Sequence, residues 1–186
     1  EALRADGIDL YPNDVRVDHT TADIQDRFGL LDEAALEDVR ERFSLAGRIM
    51  AIRNFGKAAF AVLQDRKGRI QIYIAKNILG EAAYTLFKRL DIGDIVFISG
   101  RVFRTRTGEL TIEAEALRLL AKSLHPLPEK WHGLTDVEIR YRQRHLDLIV
   151  NPKVRDVFYK RSRIIRLIRR FMEDRDFLEV ETPMMQ

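Results

Sequence analysis

No cysteine occurs among the 186 residues. Disulfide staples and thiolate metal sites are thereby excluded, and a reducing, cytoplasmic setting is the natural expectation. Long hydrophobic runs are also missing. Nothing approaches the roughly 20 apolar residues that span a bilayer, and the opening "EALRADGIDLYPND" lacks the charged, apolar, small-residue order of a signal peptide. No membrane partner is expected. The four histidines, His19, His125, His132 and His145, do not have metal-ligand spacing. A glycine-rich phosphate loop and a nucleophile–base pair are likewise absent, so the sequence itself points to no metal, no cofactor and no catalytic residue within the chain.

What is present is charge, and it is sorted along the chain. The net charge is only +3, but residues 1–43 hold 5 Lys/Arg against 12 Asp/Glu, a net of −7. Residues 44–122 hold 14 against 7, a net of +7, and residues 135–176 hold 12 against 7, a net of +5. A basic middle segment behind an acidic one fits a polyanion binder, or a solvated surface that is merely basic. Charge alone leaves both open.

The hydrophobic period divides the chain into four parts. Residues 1–43 read as a helical segment, with one helix after Thr20–Thr21 and a second over 32–43, where Leu36, Val39 and Phe43 fall at helical spacing. From 44 to 122 the period becomes two. "SLAGRIMAIRN", "AAFAVLQD", "RIQIYIA", "DIVFISGRVF" and "ELTIEAEALRLL" read as five strands, with the helical "GEAAYTLFKRL" between the third and fourth. That order is the one found in a five-stranded OB-fold barrel, so the fold class expected is β-rich α+β. Residues 123–134, with two prolines and a glycine, read as a linker. Residues 135–186 turn helical again. Thr135 and Glu138 have capping-box spacing, Asn151-Pro152 opens a long helix, and "FLEVETPMMQ" reads as a strand ending at Pro183. Val154, Val157, Phe158, Ile165, Ile168 and Met172 are expected to share a buried face of that helix.

The hairpin "GKAAFAVLQDRKGRIQIYIA" carries the functional signal. Ala59, Ala61 and Leu63 set against Ile70, Ile72 and Ile74 make an apolar face for the barrel interior. Phe60, Val62 and Gln64 then face outward beside Arg69, Gln71 and Tyr73. An outward ring, an amide and cations suit a single-stranded nucleic-acid platform: the ring stacks on a base, the amide bonds its edge, and the cations hold phosphates. The alternative is that the N-terminal helices cover Phe60.

At this level of detail the sequence resembles the class II lysyl-tRNA synthetases. "GRIMAIRNFGKAAFAVLQDRKGRIQIYI", "GDIVFISGRVFRTRTGELTIEAEALRLL" and "RDFLEVETPMM" carry the likeness, and "HPLPEKWHGLTDVEIRYRQRHLDLI" marks it as lysyl rather than aspartyl or asparaginyl. The resemblance implies an OB-fold anticodon-binding domain for tRNA(Lys), then a linker and the start of the catalytic domain. It implies that Phe60 stacks on the central anticodon base, that Gln71 and Arg53 contact the same base, and that Glu109 helps read a neighbour. Pro183 would end motif 1, which builds a homodimer interface. ATP, magnesium and lysine would be bound by motifs 2 and 3, outside these residues, so the fragment is expected to be inactive by itself. The rival readings are an aspartyl- or asparaginyl-type synthetase fragment, a sequence-tolerant OB-fold binder of single-stranded nucleic acid without enzymatic activity, and a module that serves protein assembly through its acidic helices.

Overall fold

The computed structural model describes residues 2–125, 127–128, 134 and 136–184, which form two compact units, Glu1–Pro126 and Leu127–Gln186. In the first, short helices α1 (Ala2–Ala5), α2 (Thr21–Phe28) and α3 (Glu33–Glu37) precede β1 (Phe43–Phe55), β2 (Ala58–Gln64) and β3 (Arg69–Ala75). Helices α4 (Lys76–Leu79) and α5 (Glu81–Phe87) follow, then β4 (Ile95–Arg104) and β5 (Leu110–Ala121).

The five strands close into a barrel in the order β1-β2-β3-β5-β4. Closure depends on β1 serving two neighbours: Phe43–Arg48 pair with β4 and Arg48–Phe55 with β2, with a bulge between Ile49 and Ala51. A bulge bends a strand and increases its twist, which lets one strand turn a barrel corner. The circuit is completed by a short parallel pairing of β3 with β5 (Gln71↔Thr111, Ile72↔Ile112, Tyr73↔Glu113). Gly100 is required where β4 crosses β5, because a Cβ there would stand 1.8 Å from the Glu113 carbonyl oxygen.

The hairpin register is the one its apolar pattern requires: Ala59↔Ile74, Ala61↔Ile72 and Leu63↔Ile70 all point inward and are essentially inaccessible. Each fully buried Leu or Ile side chain contributes about 1.5–3 kcal/mol. Gln64 departs from the outward expectation. At the strand end it is buried, and its Oε1 accepts a 2.6 Å hydrogen bond from Arg69 Nε.

Two carboxylates of the acidic N-terminal segment pair with arginines further along the first unit. Asp14 makes a bidentate pair with Arg118 (3.0 and 3.1 Å), and Asp6 pairs with Arg89. Thr20 caps α2 in a capping box with Asp23, as the Thr20–Thr21 signal predicts. The second helix is shorter than expected. It runs only from Glu33 to Glu37, capped by Asp32, because Phe43 is taken by β1, where it pairs with Gly100 and is fully buried. Sheet pairing overrides helical spacing at that position.

Asp65, in the β2–β3 turn, fastens α2 to the barrel. Its carboxylate accepts from Thr21 N (2.6 Å), Thr21 Oγ1 (2.7 Å), Lys67 N (2.7 Å) and Gly68 N (2.8 Å). Burial opposes the charged form, but these donors outweigh it and hold the carboxyl below its usual range.

The second unit contains α6 (Val137–Arg142), α7 (Arg144–Val150) and α8 (Pro152–Glu173). The capping pair centred on Thr135 lies outside the described residues; Asp136 caps α6 by accepting from Ile139 N at 2.9 Å. Asp147 is fully buried and accepts from Arg140 Nε (3.1 Å), Asn151 Nδ2 (2.5 Å) and Arg144, which ties the three helices together. Two expectations are corrected. Residues 177–183 form no strand among the described residues, since no neighbouring segment offers a ladder to them. The apolar face of α8 is only partly covered: Val154 and Ile165 are half-buried, but Val157, Phe158, Ile168 and Met172 are exposed, as are Leu167 and Phe171, with only the Arg144 and Arg175 guanidinium groups seen lying over the Phe158 and Phe171 rings among the described residues. The arginines of α8 behave as a solvated surface, with pairs such as Arg169–Glu179 at 2.8 Å.

Candidate nucleic-acid interface

One concavity gathers the sequence-predicted residues. Arg53, Phe60, Gln71 and Glu109 all line an open cleft of about 590 Å³, together with Glu33, Phe55, Phe103, Arg104, Thr105, Arg106 and Thr107. Four strands bring them there by register. Arg53 of β1 stands opposite Phe60 of β2, Phe60 opposite Tyr73 of β3, and Gln71 opposite Thr111 of β5, with Glu109 just before that strand. The outward parity that makes the opposite face dry places these side chains on one surface. Pro183 lies in the other unit and is no part of this cleft.

Phe60 is half-buried and not covered by helices; α3 reaches the cleft only through Glu33. Its ring belongs to an aromatic row across the sheet. Tyr73 lies 5.1 Å from it in a tilted arrangement, Phe55 lies 6.1 Å away edge-to-face, and Phe103 packs edge-to-face on Tyr73 at 6.0 Å. The hairpin pattern alone does not single out Phe55 or Phe103. Strand alternation contains the signal for both: Phe103 shares the outward parity of β4 with Arg101, and Phe55 stands two residues beyond Arg53.

Gln71 is oriented before any ligand arrives. Its Nε2 donates to Glu109 Oε2 at 2.7 Å, while the Thr111 hydroxyl faces Gln71 Oε1 (3.3 Å) and the Glu109 carbonyl (3.1 Å). One amide N–H remains unused. Arg104 holds the neighbouring hairpin by donating to the carbonyls of Leu31, Gly29 and Gly108, each at 2.6 Å, so its charge also caps the C-terminal end of α2. Glu109 is thereby carried on a braced turn, closed by Gly108 N donating to Thr105 O at 2.7 Å.

The charges sort by location. The acidic segment pairs with Arg89 and Arg118, whereas among the described residues no carboxylate lies within ion-pair distance of Arg53, Lys57 or Arg106. Unpaired cations near a solvent-facing aromatic row, half-buried at Phe60, Tyr73 and Phe103 and exposed at Phe55, are what a phosphate backbone with splayed bases needs. Among the described residues no group of three His, Asp or Glu side chains could hold a metal ion, and no helix is long and apolar enough to cross a membrane.

Comparison with known proteins places this geometry. Residues 43–120 match the family described as OB-fold nucleic acid binding domain, and residues 136–186 match tRNA synthetases class II (D, K and N). A lysine–tRNA ligase of Xylella fastidiosa (strain 9a5c) is 56% identical over 187 aligned residues, covering 99% of this chain and 37% of the relative. That of Moorella thermoacetica is 56% identical over 183 residues, covering 98% and 36%. That of Xanthomonas campestris pv. campestris (strain 8004) is 56% identical, covering 99% and 37%. The chain thus spans little more than a third of the length of the curated relatives it matches. With both of its parts matched in order, the chain belongs to the class II lysyl-tRNA synthetase family, as the OB-fold nucleic acid binding domain followed by the opening of the synthetase domain.

Proposed function

We propose that this chain is the tRNA-recognition part of a lysine–tRNA ligase and binds the anticodon loop of tRNA(Lys) in the cleft around Phe60. The observation that carries the reading is the convergence of Arg53, Phe60, Gln71 and Glu109 on that cleft. Phe60 stacks on the central base, and stacking contributes about 1–3 kcal/mol per base. The free N–H of Gln71 gives the site its selectivity: a donor meets the carbonyl of uridine favourably and the exocyclic amine of cytidine unfavourably. Arg53 contacts the same base, Glu109 helps read a neighbour, and Lys57 and Arg106 hold phosphates.

In this reading residues 44–122 are the anticodon domain, 123–134 the linker and 135–186 the start of the catalytic domain. The whole enzyme, cytoplasmic and homodimeric, activates lysine with ATP and magnesium and transfers it to the tRNA. As the resemblance implies, ATP, magnesium and lysine would be held by motifs 2 and 3, outside these residues. The exposed apolar face of α8 supports a dimer interface that includes Pro183.

Titration of fluorescent anticodon stem-loops tests the proposal. A UUU loop is expected to bind at least tenfold tighter than its central U-to-C variant, with no lysine-dependent ATP–pyrophosphate exchange from the chain alone. Equal binding of both loops would instead indicate a sequence-tolerant OB-fold binder.

A further inference from the structure

We propose that Phe55 is a second base-stacking platform, set edge-on to Phe60, that takes the unpaired base on one side of the central one. The proposal rests on the anticodon reading above and deepens it.

Phe55 is 65% exposed, although it ends a strand whose earlier apolar residues are buried. A single exposed apolar residue is ordinary surface, but Phe55 is held in place and lines the cleft. It pairs with Ala58 across a tight turn in which Gly56 adopts φ +74°. The Gly56 carbonyl accepts a 2.8 Å hydrogen bond from the hydroxyl of Tyr84, itself only 5% exposed on α5. A helix behind the sheet therefore pins the turn that presents the ring. Ordering costs are thus largely met before ligand arrives, which is what a stacking group requires.

The two rings lie 6.1 Å apart with planes at 81°. An edge-to-face contact covers at most one ring face, so Phe55 keeps a face for a base. Bases lying on two rings nearly at right angles cannot stack on each other. Occupation of both platforms therefore splays adjacent nucleotides, the form in which single-stranded loops are read. Position in the sheet assigns the side: Gln71 and Glu109 lie on the β3–β5 flank of Phe60, while Phe55 lies on the β1–β2 turn, beyond Arg53. The base on the Glu109 flank and the base on Phe55 are thus different neighbours of the central one.

The test measures binding of the full chain and its variants to UUU stem-loops carrying one abasic nucleotide at the first, central or third anticodon position. Phe55→Ala is expected to weaken the intact loop by about 5- to 100-fold, and Phe55→Tyr, which keeps the ring, by no more than about twofold. Removal of one flanking base should abolish the difference between wild type and Phe55→Ala; removal of the central base should leave that difference in place and instead abolish the effect of Phe60→Ala. If the Phe55→Ala loss is the same for all three abasic loops, or vanishes only when the central base is missing, Phe55 merely props Phe60 and the proposal is overturned. If Phe60→Ala is also uncoupled from the central base, the anticodon reading itself fails.

Discussion

Gln71 and Glu109 face each other across the parallel junction of β3 and β5, joined by a 2.7 Å hydrogen bond from the amide to the carboxylate. The bond fixes which end of the amide faces Glu109 and so leaves an N–H rather than a carbonyl for a ligand. Glu109→Ala removes the acceptor and allows the amide to turn over. Discrimination between UUU and a loop with central cytidine should then fall by roughly tenfold, equivalent to about 1.4 kcal/mol, the worth of one hydrogen bond. Gln71→Leu should do the same without altering the salt dependence. Loop-binding titrations at fixed salt measure both.

Phosphate contacts have their own signature. Arg53, Lys57 and Arg106 lack carboxylate partners among the described residues, so their charge is available to the RNA backbone. Arg106→Gln should lower affinity for every loop equally and reduce the slope of log K against log salt by about 0.7, the value for one contact to a single strand. Titrations between low and moderate salt give that slope.

Much of this site was legible in the sequence, and the part that was not has a physical reason. The alternation of Ala59, Ala61 and Leu63 with Ile70, Ile72 and Ile74 fixes the hairpin register, and the register alone places Phe60 and Gln71 on one outer surface. The meeting of Gln71 with Glu109 was not legible. It depends on the parallel pairing of β3 with β5, a contact between strands distant in sequence that no local period encodes. The N-terminal boundary failed for a related reason: Phe43 has helical spacing after Leu36 and Val39, but its place against Gly100 of β4 decides its conformation. Acidic composition likewise does not reveal partners, whereas the structure shows Asp6 paired with Arg89, just after α5, and Asp14 with Arg118 of β5.

Asp65 links stability to pH. Its folded carboxyl is held below the usual value, mainly by Thr21, Gly68 and Lys67 donors that outweigh burial. Asp65→Ala, which loses these bonds, should destabilise the barrel unit by about 2–4 kcal/mol at pH 7. Because the folded value is depressed, the contribution is complete above the unfolded value near ~3.9 and is lost as pH falls through the folded one. Urea melts of wild type and variant should therefore converge toward acid and remain apart at neutral pH.

The face of α8 offers a separate check. Leu167 is 56% exposed, so Leu167→Glu should change the stability of the chain by less than about 0.5 kcal/mol while abolishing self-association. Thermal melts combined with sedimentation velocity read both quantities.

The central claim is that the outward Phe60 reads a base. The most direct measurement is binding of a UUU anticodon stem-loop and its central U-to-C variant by wild type and Phe60→Ala. Wild type is expected to prefer UUU, and Phe60→Ala is expected to cost about 1–3 kcal/mol on the UUU loop. Equal binding of both loops by wild type, with no change in Phe60→Ala, would contradict it.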